Sequence, residues 1–141
     1  MRISVRAQYA LLAVFELSSN ISDQPVKIAE ISRRQRIPQK FLELILASLR
    51  QAGFVASRRG AEGGYLLAQP ADTLTVGEVL RALDAEKRAG SRRQNDDESP
   101  LSDLWRKTDA SMSAVLDRAT FAELVRAWND KQSRIEPNWD I

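Results

Sequence analysis

Apolar positions along this chain gather into periodic runs separated by short polar stretches. From Val5 to Leu17 they recur at Val5, Tyr9, Leu11, Leu12, Ala13, Phe15 and Leu17 with helical rather than alternating spacing, and Ser4 stands where an N-cap belongs. Asn20, Ser22, Asp23 and Pro25 supply turn chemistry. A second, short helical pattern runs from Ile28 to Arg36, with Ile28, Ala29 and Ile31 on its apolar side. Ile37-Pro38 marks a boundary: a residue before proline is pushed out of the helical region, whereas proline fits a first helical turn. A third helix therefore starts near Pro38 and stops at Gly53. Phe41, Leu42, Ile45, Leu46 and Leu49 are expected to form its core face, leaving Lys40, Glu43 and Ser48 outward.

Beyond Gly53 the run Phe54-Val55-Ala56-Ser57-Arg58, the glycine-rich Arg59-Gly60-Ala61-Glu62-Gly63-Gly64 and the run Tyr65-Leu66-Leu67-Ala68 predict a β-hairpin with a basic entrance. Thr75-Val76-Gly77-Glu78 has the spacing of a capping box and opens a helix through Leu83. The segment from Ala85 to Pro100 has almost nothing to bury and is expected to be a flexible loop. Leu101, Leu104, Trp105, Thr108, Met112, Val115, Leu116 and Ala119 then repeat at three- and four-residue intervals, predicting a long amphipathic helix. A second capping box, Thr120-Phe121-Ala122-Glu123, starts a last helix through about Trp128. The tail, with Pro137 and Trp139, has no clear period. The expected fold is mainly α with a small β-hairpin wing: a head over 1–84, the loop over 85–100, and a long helix, last helix and tail over 101–141.

Composition narrows the function. The chain has no cysteine and no histidine, which removes disulfides, thiolate chemistry, ordinary zinc sites and Ser-His-Asp or Cys-His catalysis. The carboxylates form no converging pair in the sequence, so no enzyme and no cofactor is expected. No stretch approaches the length needed to span a bilayer, and Met1-Arg2-Ile3-Ser4 runs into a helical pattern, so no membrane partner and a cytoplasmic location are expected. Net charge is +2, but residues 1–60 carry ten Lys/Arg against four Asp/Glu, and residues 61–141 carry eleven against fifteen. A basic front half suits a polyanion.

Three helices followed by a two-stranded hairpin is the element order of a winged helix-turn-helix, whose third helix enters the major groove of double-stranded DNA. The basic residues fall where that geometry needs them: Arg33, Arg34 and Arg36 before the turn, Lys40 on the recognition helix, Arg58 and Arg59 at the wing. Gly60, Gly63 and Gly64 join two strands with no Gly-Lys-Ser/Thr ending, so they do not form a nucleotide loop. Trp105 belongs to core or dimer packing.

The chain resembles the family of small bacterial regulators that includes IscR, NsrR and CymR. The likeness rests on Met1-Arg2-Ile3-Ser4 with Tyr9-Ala10, on Phe41-Leu42-Glu43, and on Leu49-Arg50-Gln51-Ala52-Gly53-Phe54-Val55. The most specific part is the wing, Arg59-Gly60-Ala61-Glu62-Gly63-Gly64-Tyr65-Leu66-Leu67; Val76-Gly77-Glu78-Val79, Leu104-Trp105 and Thr120-Phe121-Ala122-Glu123-Leu124 extend it. The resemblance implies a homodimer whose long C-terminal helices cross-pack through Leu101, Leu104, Trp105, Thr108, Met112, Val115, Leu116 and Ala119. It implies a DNA-binding set made of Ser4, Arg6, Tyr9 and Arg34, of Gln39, Lys40, Glu43 and Arg50, and of Arg58, Arg59, Gly60 and Tyr65. In that set Glu43 approaches base edges, Arg59 enters the minor groove and Tyr9 meets a phosphate. Lys40 and Leu44 differ from the serine and glutamine common in IscR, and Lys40 suits either guanine or phosphate.

Many relatives of this type ligate an iron-sulfur cluster through three cysteines in the loop before the long helix. Here Ser91 and Ser99 fall near those positions, and serine is a poor replacement for thiolate, which sets the chain with the cluster-free CymR type. The expected function is a sequence-specific regulator, a repressor acting as a homodimer on an inverted repeat. Two alternatives remain open: an interaction module whose acidic C-terminal half binds a metabolic enzyme, and a sensor with a small-molecule pocket between head and long helix.

Overall fold

The computed structural model describes residues 3–89 and 98–135. The first helix, α1 (Val5–Ser19), begins where Ser4 Oγ accepts the Ala7 N–H at 3.1 Å. It is followed by α2 (Ile28–Gln35) and α3 (Gln39–Gln51). The turn between them is made by Arg36 in the left-handed region (φ 55°) and by buried Ile37, whose carbonyl accepts the Ser32 hydroxyl. Leu42, Ile45, Leu46 and Leu49 pack α3 onto α1 and α2, around Ala10, Ala13, Val14 and Ile31.

Phe41, expected in that core face, is instead 54% exposed. The buried stripe repeats at three- and four-residue intervals from Leu42, which leaves Phe41 beyond its edge.

The wing is an antiparallel pair, β1 (Val55–Arg58) and β2 (Gly64–Leu67), in the register Val55 with Leu67 through Arg58 with Gly64. Val26 adds a one-residue bridge: its N–H donates to Tyr65 O at 2.9 Å and its carbonyl accepts from Tyr65 N at 2.8 Å. That bridge ties the segment before α2 to the wing. It also requires Gly64, because a Cβ there would lie 2.4 Å from Val26 O.

Helix α4 (Val76–Ala89) opens on Thr75, whose Oγ1 accepts the Glu78 N–H at 3.2 Å. It runs past Leu83, so positions 85–89, expected in the loop, are helical; residues 90–97 of that loop lie outside the described residues. Helix α5 (Ser102–Leu116) is 15 residues long, the same as α6 (Phe121–Ile135). The long helix thus ends at Leu116, short of Ala119, and the last helix continues well beyond Trp128. Thr120 Oγ1 caps α6 by accepting the Glu123 N–H.

A second bridge, Thr75 with Thr120, joins the approaches to α4 and α6, and Phe121 is buried in the same core as α1 to α4. From that anchor α6 packs along α1. No helix among the described residues is long and apolar enough to cross a membrane.

Candidate nucleic-acid interface

On a helix that turns about 100° per residue, the face of α3 opposite its buried stripe carries Lys40, Glu43, Leu44 and Ala47. All four are exposed, as is Gln39 at the helix start. The two flanks of this face are held by polar contacts to other elements. On one flank, the Arg50 guanidinium donates to Ser57 Oγ of β1 at 3.2 Å, fixing the wing beside α3. On the other, Arg6 of α1 donates to Ser48 Oγ at 2.9 Å and pairs with Glu86 of α4 at 3.4 Å, while the Ser48 hydroxyl donates to Glu86 at 3.0 Å. Wing, outward face of α3 and start of α1 therefore form one surface.

Between wing and α2 lies a cleft of about 570 Å³ lined by Lys27, Arg50, Arg58, Arg59, Gly60 and Tyr65, with Ser57 and the wing glycines. Four cations share it, and the only carboxylate on the hairpin tip, Glu62, does not line it. Gly60 turns the tip at φ 107°, a conformation that L side chains resist. Lys27 was not foreseen; its signal in the sequence is a lone cation directly before the apolar side of α2.

The α1 residues lie on the opposite flank. Ser4 Oγ accepts its capping bond, which leaves the hydroxyl hydrogen free to donate. Tyr9 is half-buried beside Val5 and Phe41. Arg34 stands apart from both groups: it pairs with Glu30 at 2.9 Å and with buried Glu16 at 3.6 Å, and Gln35 completes the set by donating to Glu16 at 3.2 Å. Its guanidinium braces α2 against α1, a structural use the sequence did not reveal.

Of the residues expected to join two copies, Leu101, Leu104, Trp105 and Val115 are exposed, and Thr108 and Met112 half-buried. Helix α5 buries no residue within the chain. Leu116 and Ala119 differ, because both pack against the chain's own core. Ser99, expected near a ligand position, accepts the Leu101 N–H at 3.2 Å and opens α5; Ser91 and Trp139 lie outside the described residues. Trp128 lines an apolar groove of about 360 Å³ between α1 and α6, with Leu12, Phe15 and Leu124.

Three helices, a wing fixed beside the third, and a basic cleft between wing and second helix define a winged helix-turn-helix protein. The chain belongs to the Rrf2 family, described as iron-dependent transcriptional regulators, whose profile matches residues 3–127. IscR of Yersinia enterocolitica, a helix-turn-helix-type transcriptional regulator, is 38% identical over 130 residues, 89% of this chain and 79% of that protein. A helix-turn-helix-type regulator of Mycobacterium tuberculosis is 36% identical over 130 residues, 88% and 81% of the two chains. Among solved structures, CymR, the global cysteine regulator of B. subtilis, superposes with a TM-score of 0.75 at 30% identity, covering 90% of this chain and 98% of that one. IscR of T. potens does so with a TM-score of 0.78 at 29% identity, covering 99% and 95%. The protein is a DNA-binding transcription regulator, not an enzyme, and these likenesses do not favour the interaction-module reading.

The family's description implies iron. The donor set of this chain does not fit an iron-sulfur cluster, since it offers neither thiolate nor imidazole, and among the described residues no three carboxylates gather as a metal site would need.

Proposed function

We propose that the protein is a homodimeric repressor that binds an inverted-repeat operator and does so without a cluster. In this reading α3 of each copy lies in a major groove, with Glu43 and Lys40 toward base edges, and Gln39 beside the backbone. Each wing reaches the flanking minor groove through Arg59, with Arg58, Arg50 and Lys27 on phosphates and Tyr65 and Gly60 shaping the tip. Ser4, Arg6 and Tyr9 meet backbone on the far flank. The observation that carries this is the continuity of the surface: the Arg50–Ser57 and Arg6–Ser48 bonds hold wing and α1 on opposite sides of one exposed helix face.

The exposed stripe of α5 supports pairing through Leu101, Leu104, Trp105, Thr108, Met112 and Val115. Two heads on two half-sites supply affinity that one small head lacks. The mass of the protein in solution checks the dimer. Operators are obtained by in vitro selection from random duplex DNA, and binding is followed by fluorescence anisotropy at fixed salt. Arg59→Ala is expected to weaken the selected operator by about 1–3 kcal/mol per contact and to relax preference at the flanking A·T positions. An unchanged affinity and preference removes Arg59 from the interface.

A further inference from the structure

The outward face of α3 is not uniformly polar. Leu44 is 67% exposed at its middle, one turn after Lys40. With Phe41, Val5, Tyr9 and Ile45 it lines an apolar hollow of about 350 Å³ between the start of α1 and α3, with Arg6 at its rim. Single exposed leucines are ordinary on protein surfaces. Here, though, Leu44, Phe41 and Val5 are exposed together on the flank of the helix that faces DNA in the proposed reading.

The charged groups around the hollow narrow what can fill it. Lys40 shares its helix face with Glu43, and Arg6 at the rim is paired with Glu86, so groups of both signs flank the hollow and the complementary surface is polar, with donors and acceptors around an apolar feature. The floor of a major groove fits that description. Its base edges present donors, acceptors and a single kind of apolar group, the C5-methyl of thymine. A cytosine methylated at C5 carries the same group in the same groove.

We propose that Leu44, backed by Phe41, is a specificity-determining residue that reads a 5-methylpyrimidine in each half-site. The inference rests on the placement of α3 in the major groove proposed above, and it adds a contact of a different chemistry to those of Lys40 and Glu43. Leu44 meets the methyl directly, and Phe41 walls the hollow on the α1 side.

The test uses the full-length dimer and its selected operator. Each thymine in turn is replaced by uracil, which removes the methyl and leaves pairing and hydrogen-bonding groups intact. At one position per half-site the wild-type protein is expected to lose about three- to fivefold in affinity, the factor for one methyl-sized apolar contact. Leu44→Ala, at an exposed position, is expected to keep the thermal midpoint and to bind thymine and uracil operators equally. Where selection yields cytosine at that position, its 5-methylation should raise affinity by the same factor, assigning the source to a methylated cytosine. Wild-type indifference to the methyl at every position overturns the proposal, as does a thymine preference that survives in Leu44→Ala. A change in oligomeric mass for Leu44→Ala overturns it in favour of a contact between copies. Failure to select any operator overturns the major-groove reading itself, a separable result.

Discussion

The wing's aim depends on a few backbone positions where no side chain fits. A Cβ at Gly64 would lie 2.4 Å from Val26 O and 2.7 Å from Val26 C, and the Val26–Tyr65 bridge cannot open around it without losing both of its bonds. Gly64→Ala is therefore expected to destabilise the protein by about 1–3 kcal/mol, the usual range for forced overlap in a packed region, and to lower its calorimetric midpoint. Operator binding should fall further than stability does, because a displaced hairpin carries Arg58 and Arg59 with it. Gly60 behaves differently: an added Cβ meets nothing there, so alanine would act only through its positive φ, whereas alanine at Gly64 (φ 156°) adds crowding to conformational strain.

Between elements, the contact that bears most directly on the proposed DNA-binding surface is the one linking α1, α3 and α4. Glu86 holds the Arg6 guanidinium and the Ser48 hydroxyl, two groups on the flank where the operator backbone is proposed to run. A phosphate at Arg6 then competes with this carboxylate. The pair is about half exposed on both sides, so its strength is at the exposed end of the range, up to about 1 kcal/mol. Glu86→Gln is accordingly expected to tighten operator binding by about two- to fivefold, and the gain should vanish in an Arg6→Ala background, a coupling that a double-mutant cycle reads directly. Weaker binding in Glu86→Gln would show that the carboxylate positions Arg6 for DNA instead. None of this is visible along the chain, since Arg6 and Glu86 are 80 residues apart. What was legible is local. Ser4, Thr75 and Thr120 cap their helices as their spacing indicates, and element order and wing position follow from periodicity and glycine placement. The ends of α4 and α6 were not legible: Ala85-Glu86-Lys87-Arg88-Ala89 has no apolar face but consists of good helix formers, so a polar texture hid a helical one. The Val26 bridge, a single residue, has no period at all.

At the scale of the whole molecule, the head and α5, the helix proposed to pair, cannot be treated as unrelated parts. Phe121 is buried in the core shared by α1 to α4, Leu116 and Ala119 pack against that core, and the Asp117 carboxylate at the end of α5 pairs with Arg81 of α4. The end of α5 is thereby fixed to the head, while Leu101, Leu104 and Trp105 at its other end stay exposed. A dimer built on that exposed stripe would set the spacing of its two heads through a rigid connection, which is what reading two half-sites at a fixed separation requires. The choice of substitution decides whether this can be tested cleanly. Leu116→Ala would disturb the protomer's core and the partner contact at once, so its loss of binding would say nothing about pairing. Trp105 is 55% exposed in the protomer and absent from its core, so Trp105→Glu places a charge in the proposed interface and nowhere else. The variant is expected to sediment as a folded monomer with a near-wild-type helical spectrum, and its affinity for the two-half-site operator should fall by about a hundredfold or more, the scale of avidity lost when one binding event no longer tethers the next. Its affinity for an isolated half-site should match that of the wild-type protein. A Trp105→Glu protein that remains dimeric would place the pairing surface elsewhere, and the apolar groove between α1 and α6 would then be the next face to test.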